Sequence, residues 1–320
     1  MARHFLFGNW AERIAPEGAL ERGLWAIEGG LAGLVWRTTA ALPLERASEL
    51  GARLGRLFGP RSRKHAHVLA NLRIAFPDWP RAKVEETAAE SWANLGRMIA
   101  ELPHLGELAR DCERVRIEDP AGIAQRLGLR PAIFVTAHLG NWNLAPVAVA
   151  RLGLPLTVIY RKQTNPRLEA LFQRARRDLP WRHLEVEEAA RGMIRELEGG
   201  RSVGLLPDQR FEGGELVPFF GRPAPTPTAP ARIALKLGLP FVPGRVVREA
   251  GCRFRIEIHP PLEPDPSIGD PRARAFALTL ALNRLFERWI RERPGEWLCA
   301  KRRWPREARE GTVLRAELRP

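Results

Sequence analysis

The segment with the clearest catalytic potential covers residues 136–146 and contains one histidine, His138. The apolar residues 133–135 predict a buried strand before it, and Gly140 permits a tight bend before a helix that begins near Trp142. A histidine beside the free N–H groups of a helix N-terminus can act as general base toward a hydroxyl, while those donors stabilise an oxyanion. The alternative is a structural histidine whose ring is hydrogen-bonded at the end of a strand.

Further short motifs occur in order along the chain on both sides of this segment. They are Asn71-Leu-Arg-Ile-Ala-Phe-Pro77, Trp92-Ala-Asn-Leu-Gly-Arg97, Tyr160-Arg161 with Asn165-Pro166, Pro207-Asp208-Gln209 with Val217-Pro-Phe-Phe-Gly221, and Trp297 with Arg302-Arg303-Trp304. With His138-Leu-Gly-Asn-Trp-Asn143, this set resembles the late lipid A acyltransferases, the lauroyl and myristoyl transferases, over residues 40–304. Each motif alone is weakly specific, whereas the ordered set is strongly specific.

The resemblance includes one departure within the histidine motif. The family has a histidine followed, after four residues, by Glu or Asp, and that position is Asn143 here. Asparagine can accept a hydrogen bond from an imidazole but supplies no charge, and loss of a triad carboxylate costs on the order of 10⁴ in rate. Three interpretations follow: Asp208 supplies the carboxylate, the enzyme is slow, or the chain is a non-catalytic relative.

The resemblance implies acyl transfer from acyl carrier protein, or from coenzyme A, to a hydroxyl of a lipid A precursor, with His138 as general base. It implies oxyanion stabilisation by backbone N–H groups at Gly140 and Asn141 and by Arg161, with Gln209 also contacting the substrate. No cofactor beyond the acyl donor is expected. Another glycolipid or phospholipid acceptor is the alternative, because related folds share the motif. The implied location is the cytoplasmic face of the bacterial inner membrane.

The whole chain has 51 Lys and Arg against 37 Asp and Glu, a net charge of +14, and the positive excess is concentrated in its second half. Residues 161–182, with Arg174 and Arg177 on a predicted helix, hold seven basic and two acidic residues, and residues 284–309 hold nine and four. These clusters suit an acidic carrier protein, an anionic lipid or a membrane surface, or they are solvated faces. Nucleic-acid binding is not favoured, because no DNA- or RNA-reading motif is present.

Metal and disulfide chemistry are not predicted. The cysteines, Cys112, Cys252 and Cys299, are too few and too widely spaced for a disulfide framework or a zinc site. His65 and His67 lie together in a basic stretch, which indicates a solvated surface rather than a metal site.

The elements that must position the candidate residues divide the chain into a helical first third and an α/β remainder. Amphipathic helices are predicted over residues 18–36, 45–58 and 81–103. The first of these either packs on the core or lies in a membrane interface, since its apolar face carries tryptophan and leucine.

From residue 131 onward, short strands alternate with helices. Strands are predicted over 132–136, 156–160, 202–206, 241–247 and 254–258, helices near 144–151, 167–177, 189–198, 229–238 and 272–292, and a loop over the proline-rich residues 223–230. This alternation predicts an α/β fold with a mostly parallel central sheet flanked by helices. The predicted division is a helical membrane-associating region over 1–115, an acyltransferase core over 116–310 and a tail over 311–320.

Overall fold

The computed structural model describes residues 19–305, so the predicted tail at 311–320 lies outside the described residues. Within that range the helices are α1 (Ala19–Ala41), α2 (Leu44–Phe58), α3 (His65–Ala75), α4 (Arg81–Glu101), α5 (Leu105–Arg110), α6 (Ile123–Leu127), α7 (Ala145–Arg151), α8 (Pro166–Arg176), α9 (Ala189–Glu198), α10 (Ala229–Leu237) and α11 (Pro271–Glu292). The strands are β1 (Val115–Glu118), β2 (Ile133–Val135), β3 (Leu156–Tyr160), β4 (Arg182–Glu185), β5 (Ser202–Leu205), β6 (Glu215–Phe219), β7 (Arg222–Thr226), β8 (Phe241–Ala250) and β9 (Arg253–Ile258).

Seven strands form one twisted central sheet in the order β1-β9-β8-β2-β5-β3-β4. Every neighbouring pair in it is parallel except β8 and β9, which are antiparallel. The α/β fold with a mostly parallel sheet is therefore confirmed. The strands β2 and β3 are short, mainly apolar runs, as expected of parallel strands that are covered on both faces.

The two faces of the sheet support two apolar clusters. Ile133 and Val135 belong to a cluster that also contains residues of α3, α4, α9, α10 and α11. Phe134, between them in sequence, packs against the other cluster, which contains residues of α5, α6 and α7. Successive strand residues point to opposite faces, so β2 is covered on both sides. The N-terminal helices α3 and α4 thus share a core with the sheet.

Glycines bring α2 and α4 into backbone contact. A Cβ placed on Gly51 would lie 2.2 Å from the carbonyl oxygen of Gly96, and one on Gly55 would lie 2.1 Å from that of Trp92. Any side chain at these positions would push the helices apart. This close crossing fixes the end of α4 against the start of α2, where a buried polar cluster described below is formed.

Two sequence predictions, for residues 223–230 and for residues 65–67, are wrong. The predicted loop over 223–230 is instead strand β7 followed by the start of α10, and β7 pairs with β6 so that Pro223 lies opposite Pro218. Prolines are tolerated because both strands of a two-stranded ribbon are edges, where a missing N–H costs no ladder hydrogen bond.

The second wrong prediction concerns the two neighbouring histidines. His65 and His67 lie in α3 and are half-buried rather than solvated.

Helix α1 packs on the protein at one side and leaves an apolar stripe uncovered at another. Trp36 is buried against a small cluster with Met98 and Leu102. The large apolar side chains of α1 that are exposed are those of Ile27, Leu31, Leu34 and Val35, and Leu34 is 55% exposed. No helix within residues 19–305 combines the length and the hydropathy that crossing a bilayer requires.

Candidate active site

Three neighbouring parallel strands end at the same edge of the sheet, and each is followed by a polar residue of the predicted site. Strand β2 leads to His138, the adjacent β5 leads to Asp208, and β3 on its other side leads to Arg161. Val135 pairs with Leu205 across β2 and β5, which aligns the two strand ends. The carboxyl edge of a parallel sheet is where ligands bind in open α/β folds.

His138 and Asp208 contact each other through two hydrogen bonds. His138 Nδ1 lies 2.6 Å from Asp208 Oδ1, and the backbone N–H of His138 donates to Asp208 Oδ2 at 3.1 Å. The Asp208 side chain is completely buried, whereas that of His138 is 20% exposed. With the carboxylate accepting from Nδ1–H, the ring presents Nε2 as its acceptor.

The environment of Asp208 favours its ionised form. Burial by itself raises the pKa of Asp208, but the positive charge and hydrogen bonds of His138, together with the charge of Arg303, outweigh it, so the pKa is lowered. Trp297 Nε1 also donates to Asp208 Oδ2, at 3.4 Å. Asp208 therefore remains a carboxylate at neutral pH and can stabilise an imidazolium.

Arg303 is a buried cation rather than part of the predicted basic surface over 284–309. It is 1% exposed, and its Nη1 and Nη2 donate to Pro225 O at 2.7 Å and to Thr226 Oγ1 at 2.6 Å. Burial lowers the pKa of Arg303 to about 10, opposed by the charge of Asp208. The guanidinium is thus still charged at neutral pH and is the fixed positive charge behind the carboxylate.

The turn after His138 requires a glycine. Gly140 has φ +55°, and a Cβ on it would lie 2.8 Å from the carbonyl oxygen of Val246. Asn94 Nδ2 donates to Gly140 O at 3.1 Å, and the N–H of Leu298 donates to His138 O at 2.9 Å. The turn is therefore held from both sides, by α4 and by the C-terminal segment.

A second buried carboxylate, Glu101, holds the other end of this turn. Asn141 Nδ2 donates to Glu101 Oε2 at 2.8 Å. Glu101 also accepts from Ser48 Oγ at 2.6 Å and from the two Nη atoms of Arg248 at 2.8 and 2.9 Å. Asn143 Nδ2 donates to Asn141 Oδ1 at 3.3 Å. Among the residues that the structure describes, Asp208 is therefore the group that hydrogen-bonds to the His138 ring. Asn143 instead bonds to Asn141, which is itself bonded to Glu101.

A cavity of about 1150 Å³ opens in front of His138. Its walls are mainly apolar, with contributions from Phe134, Leu156, Phe172, Trp181 and Met193. Such a volume exceeds that of most small-molecule sites, and apolar walls suit a long hydrocarbon chain.

The structure places some of the predicted site residues in the cavity and others outside it. The predicted residues that line it are His138, Asn143, Arg161 and Gln209. Gly140 and Asn141 belong to the turn after His138 but do not line the cavity, and Arg174 and Arg177 are exposed on or just after α8. The roles predicted for those four residues stay predictions.

Sequence reasoning missed several residues of this site. Glu101 and Arg248 are paired across 147 positions, and no local pattern signals such a pair. Arg176 falls within the basic cluster predicted over residues 161–182, but it lines the cavity, with its guanidinium 5.1 Å from the ring centre of Tyr160. Within the part of the chain that the structure describes, no group of three His, Cys, Asp or Glu residues could hold a metal ion.

Comparisons with known proteins identify the family. The family described as bacterial lipid A biosynthesis acyltransferase matches residues 25–306. A phosphatidylinositol mannoside acyltransferase of Mycobacterium tuberculosis (strain CDC 1551 / Oshkosh) is 30% identical over 92% of each chain. Of two relatives in Escherichia coli (strain K12), a lipid A biosynthesis palmitoleoyltransferase is 25% identical over 88% of this chain and 91% of its own, and a lipid A biosynthesis myristoyltransferase is 24% identical over 75% of each. This chain therefore belongs to the bacterial lipid A biosynthesis acyltransferase family and is an acyltransferase.

Proposed function

We propose that the protein transfers a fatty acyl group from a thioester donor to a sugar hydroxyl of a glycolipid, with His138 as general base and Asp208 as its carboxylate partner. The observation that carries this proposal is the 2.6 Å contact between His138 Nδ1 and the buried Asp208, with the ring facing a large apolar cavity. The cavity would hold the acyl chain and His138 would act at its mouth.

The proposed reaction uses the free ring nitrogen of His138. Nε2 removes the proton from the acceptor hydroxyl as its oxygen attacks the thioester carbonyl, and the imidazolium formed is stabilised by Asp208. The tetrahedral intermediate carries an oxyanion and collapses with loss of the thiolate, which takes the proton from His138. Side-chain donors on the cavity wall that could face the oxyanion are Asn143, Arg161 and Gln209.

The names of the relatives support a glycolipid acceptor, but they specify two different glycolipids. The names of the relatives specify phosphatidylinositol mannoside for the mycobacterial protein and lipid A for the E. coli proteins. A lipid A precursor is the acceptor implied by the sequence motifs, and a mannosylated phospholipid is the second candidate. The acyl group is supplied as a thioester of acyl carrier protein or of coenzyme A. Each of these substrates is a sugar lipid or a thioester, so the proposed chemistry is the same.

The test is an acyl-transfer assay with labelled acyl–acyl carrier protein and acyl–coenzyme A against both acceptors. The wild type is expected to acylate at least one acceptor. His138→Ala is expected to reduce the rate by at least about 10²-fold, because general-base catalysis contributes about 10²–10⁴-fold. A matched control is His259→Ala, which removes a histidine that does not line the cavity. Transfer at the wild-type rate by His138→Ala would contradict the proposed role.

We also propose that the apolar stripe of α1 lies in the interface of the bacterial inner membrane, on its cytoplasmic face. Ile27, Leu31 and Leu34 recur at helical spacing and are each about half exposed. Leu31→Glu with Leu34→Glu is expected to reduce co-sedimentation with anionic vesicles. Leu129→Glu, which changes a leucine that is 81% exposed at another site, should have no effect. Equal sedimentation of both variants would contradict membrane contact through α1.

A further inference from the structure

Six basic side chains line the cavity together with His138, and two of them, Arg161 and Lys301, come from distant parts of the chain. Arg161 directly follows β3, and Lys301 belongs to the C-terminal segment. A third cation, Lys64, precedes α3 and lies near enough for its charge to act on Lys301. Because the mechanism assigns no role to Lys64 or Lys301, this group of cations is unexplained by acyl transfer alone.

The backbone around Lys301 is fixed relative to the candidate base. The N–H of Leu298 donates to His138 O at 2.9 Å, and Asn71 Nδ2 donates to Lys301 O at 2.6 Å. Lys301 is three residues beyond Leu298, and three residues span at most about 10 Å of extended chain. The backbone of Lys301 is therefore tied to the segment that contacts His138, and both side chains line the same cavity.

The cations repel one another in this arrangement. Partial burial, followed by the positive charges of Arg161 and Lys64, lowers the pKa of Lys301. Among residues 19–305, no Asp or Glu lies within ion-pair distance of Lys301 Nζ. Burial also lowers the pKa of Lys64, and the charge of Glu28 opposes that effect. Lys301 is thus a cation beside two others, without a carboxylate of its own.

The third member, Arg161, has a partner that is easily exchanged. Its Nη1 lies 2.9 Å from Glu187 Oε1, in a pair whose side chains are 43% and 59% exposed. Exposed pairs of this kind are worth at most about 1 kcal/mol, so the guanidinium can turn to another anion. An incoming anion would relieve the repulsion at Lys301 and gain a bidentate partner in Arg161.

We propose that Lys301, Arg161 and Lys64 form a subsite for a phosphate group of the lipid acceptor, beside the His138 end of the cavity. The inference rests on the proposed function, because it assigns the acceptor rather than the acyl donor to this end. Phosphate suits the subsite better than a carboxylate because it offers three or more acceptor oxygens to three cations from different directions. Binding there would place a nearby sugar hydroxyl at His138.

The experiment measures ligand binding and acyl transfer separately in the full chain. Titration calorimetry measures the affinity for dihexanoyl phosphatidic acid, inorganic phosphate and octyl glucoside, each in a separate experiment. These measurements do not require the protein to transfer an acyl group. The phosphorylated lipid is expected to bind more tightly than inorganic phosphate. Lys301→Gln should weaken its binding about tenfold or more, and Lys301→Arg should retain it, because a charge-assisted hydrogen bond is lost in the first variant only. Octyl glucoside, which has no phosphate, should bind both variants equally.

The matched control is Lys162→Gln, which removes a lysine next to Arg161 that pairs with Glu185 and does not line the cavity. It should bind the phosphorylated lipid as the wild type does. In the transfer assay, Lys301→Gln should raise KM for a phosphorylated acceptor about tenfold with kcat within about twofold.

Equal affinity of Lys301→Gln and the wild type would overturn the subsite, as would an equal loss in Lys162→Gln. Tight binding of inorganic phosphate with no gain for the lipid would also overturn it, since the site would then serve a free anion. Charge-dependent lipid binding in a wild type that transfers no acyl group would support the subsite and contradict the proposed function.

Discussion

Two completely buried carboxylates, Asp208 and Glu101, hold the same turn and have opposite kinds of partners. Asp208 contacts His138, whose ring reaches the cavity and can gain or lose a proton. Glu101 contacts Arg248 through both of its oxygens and also accepts from Ser48 and Asn141. A guanidinium stays protonated at any physiological pH, so that pair cannot take part in proton transfer. The comparison separates a carboxylate suited to chemistry from one suited to holding structure.

The largest effect is expected at the first carboxylate. Asp208→Asn should reduce kcat on the order of 10⁴-fold, as in triads where the amide leaves the histidine in the wrong tautomer. The free energy of unfolding should change little by comparison, because Asp208 contacts an imidazole, which can be neutral, rather than a permanently charged guanidinium. The acyl-transfer rate and urea denaturation measure the two effects. A rate within tenfold of the wild type would mean that another group orients His138.

The second carboxylate should show the reverse behaviour. Glu101→Gln leaves the Arg248 guanidinium buried without its counter-charge and is expected to destabilise the fold by about 3–5 kcal/mol. Glu101→Gln with Arg248→Met should recover much of that loss, because neither partner is then an isolated charge. Urea denaturation measures both variants. A double variant as unstable as the single one would show that packing, rather than charge, dominates this site.

A smaller effect on stability is expected from the hydroxyl that completes the Glu101 cluster. Ser48→Ala removes the 2.6 Å hydrogen bond to Glu101 and should cost about 2 kcal/mol, since bonds to charged groups are worth about 1.5–3 kcal/mol. The control is Ser91→Ala, a buried serine that bonds only to the carbonyl of Thr87 within its own helix. Its loss should be below about 1 kcal/mol. Equal losses would remove the special role of Ser48.

The smallest effect concerns His183, a histidine in the same cavity that has no carboxylate partner among residues 19–305. Burial, and then the charge of Arg176, lowers the pKa of His183 from 6.5 to about 4. Between these values the unfolded chain binds a proton that the folded protein does not, so stability falls as pH decreases from about 7 to about 4.

For this half-buried ring we expect the unfolding free energy to fall by about 1 kcal/mol more in the wild type than in His183→Asn between pH 7 and pH 5. Denaturation of both proteins at the two pH values checks it. Parallel pH profiles would show that His183 is not the group responsible. A difference would show that burial of His183 makes the stability of the fold depend on pH.

Much of the fold could be predicted because its signals are local. The strands ending before His138 and Asp208 are short apolar runs, and the helices between them have apolar residues at helical spacing. Strand β7 was missed because its prolines favour a loop locally, and only pairing with β6 makes it a strand. Helix α1 has a buried Trp36 and an exposed apolar stripe, and its sequence pattern alone does not specify which face meets the protein.

The sequence by itself determined the family, the α/β architecture and the residue types available at His138, Asn143 and Asp208. Only the tertiary structure decided which of them contact each other. Asp208 lies 70 positions from His138, and they meet because parallel pairing of β2 and β5 aligns the two strand ends. The short side chain of Asn143 instead bonds to Asn141, which Glu101 holds from another helix. Pairings over such separations depend on strand register and helix crossing, and these are properties of the packed chain.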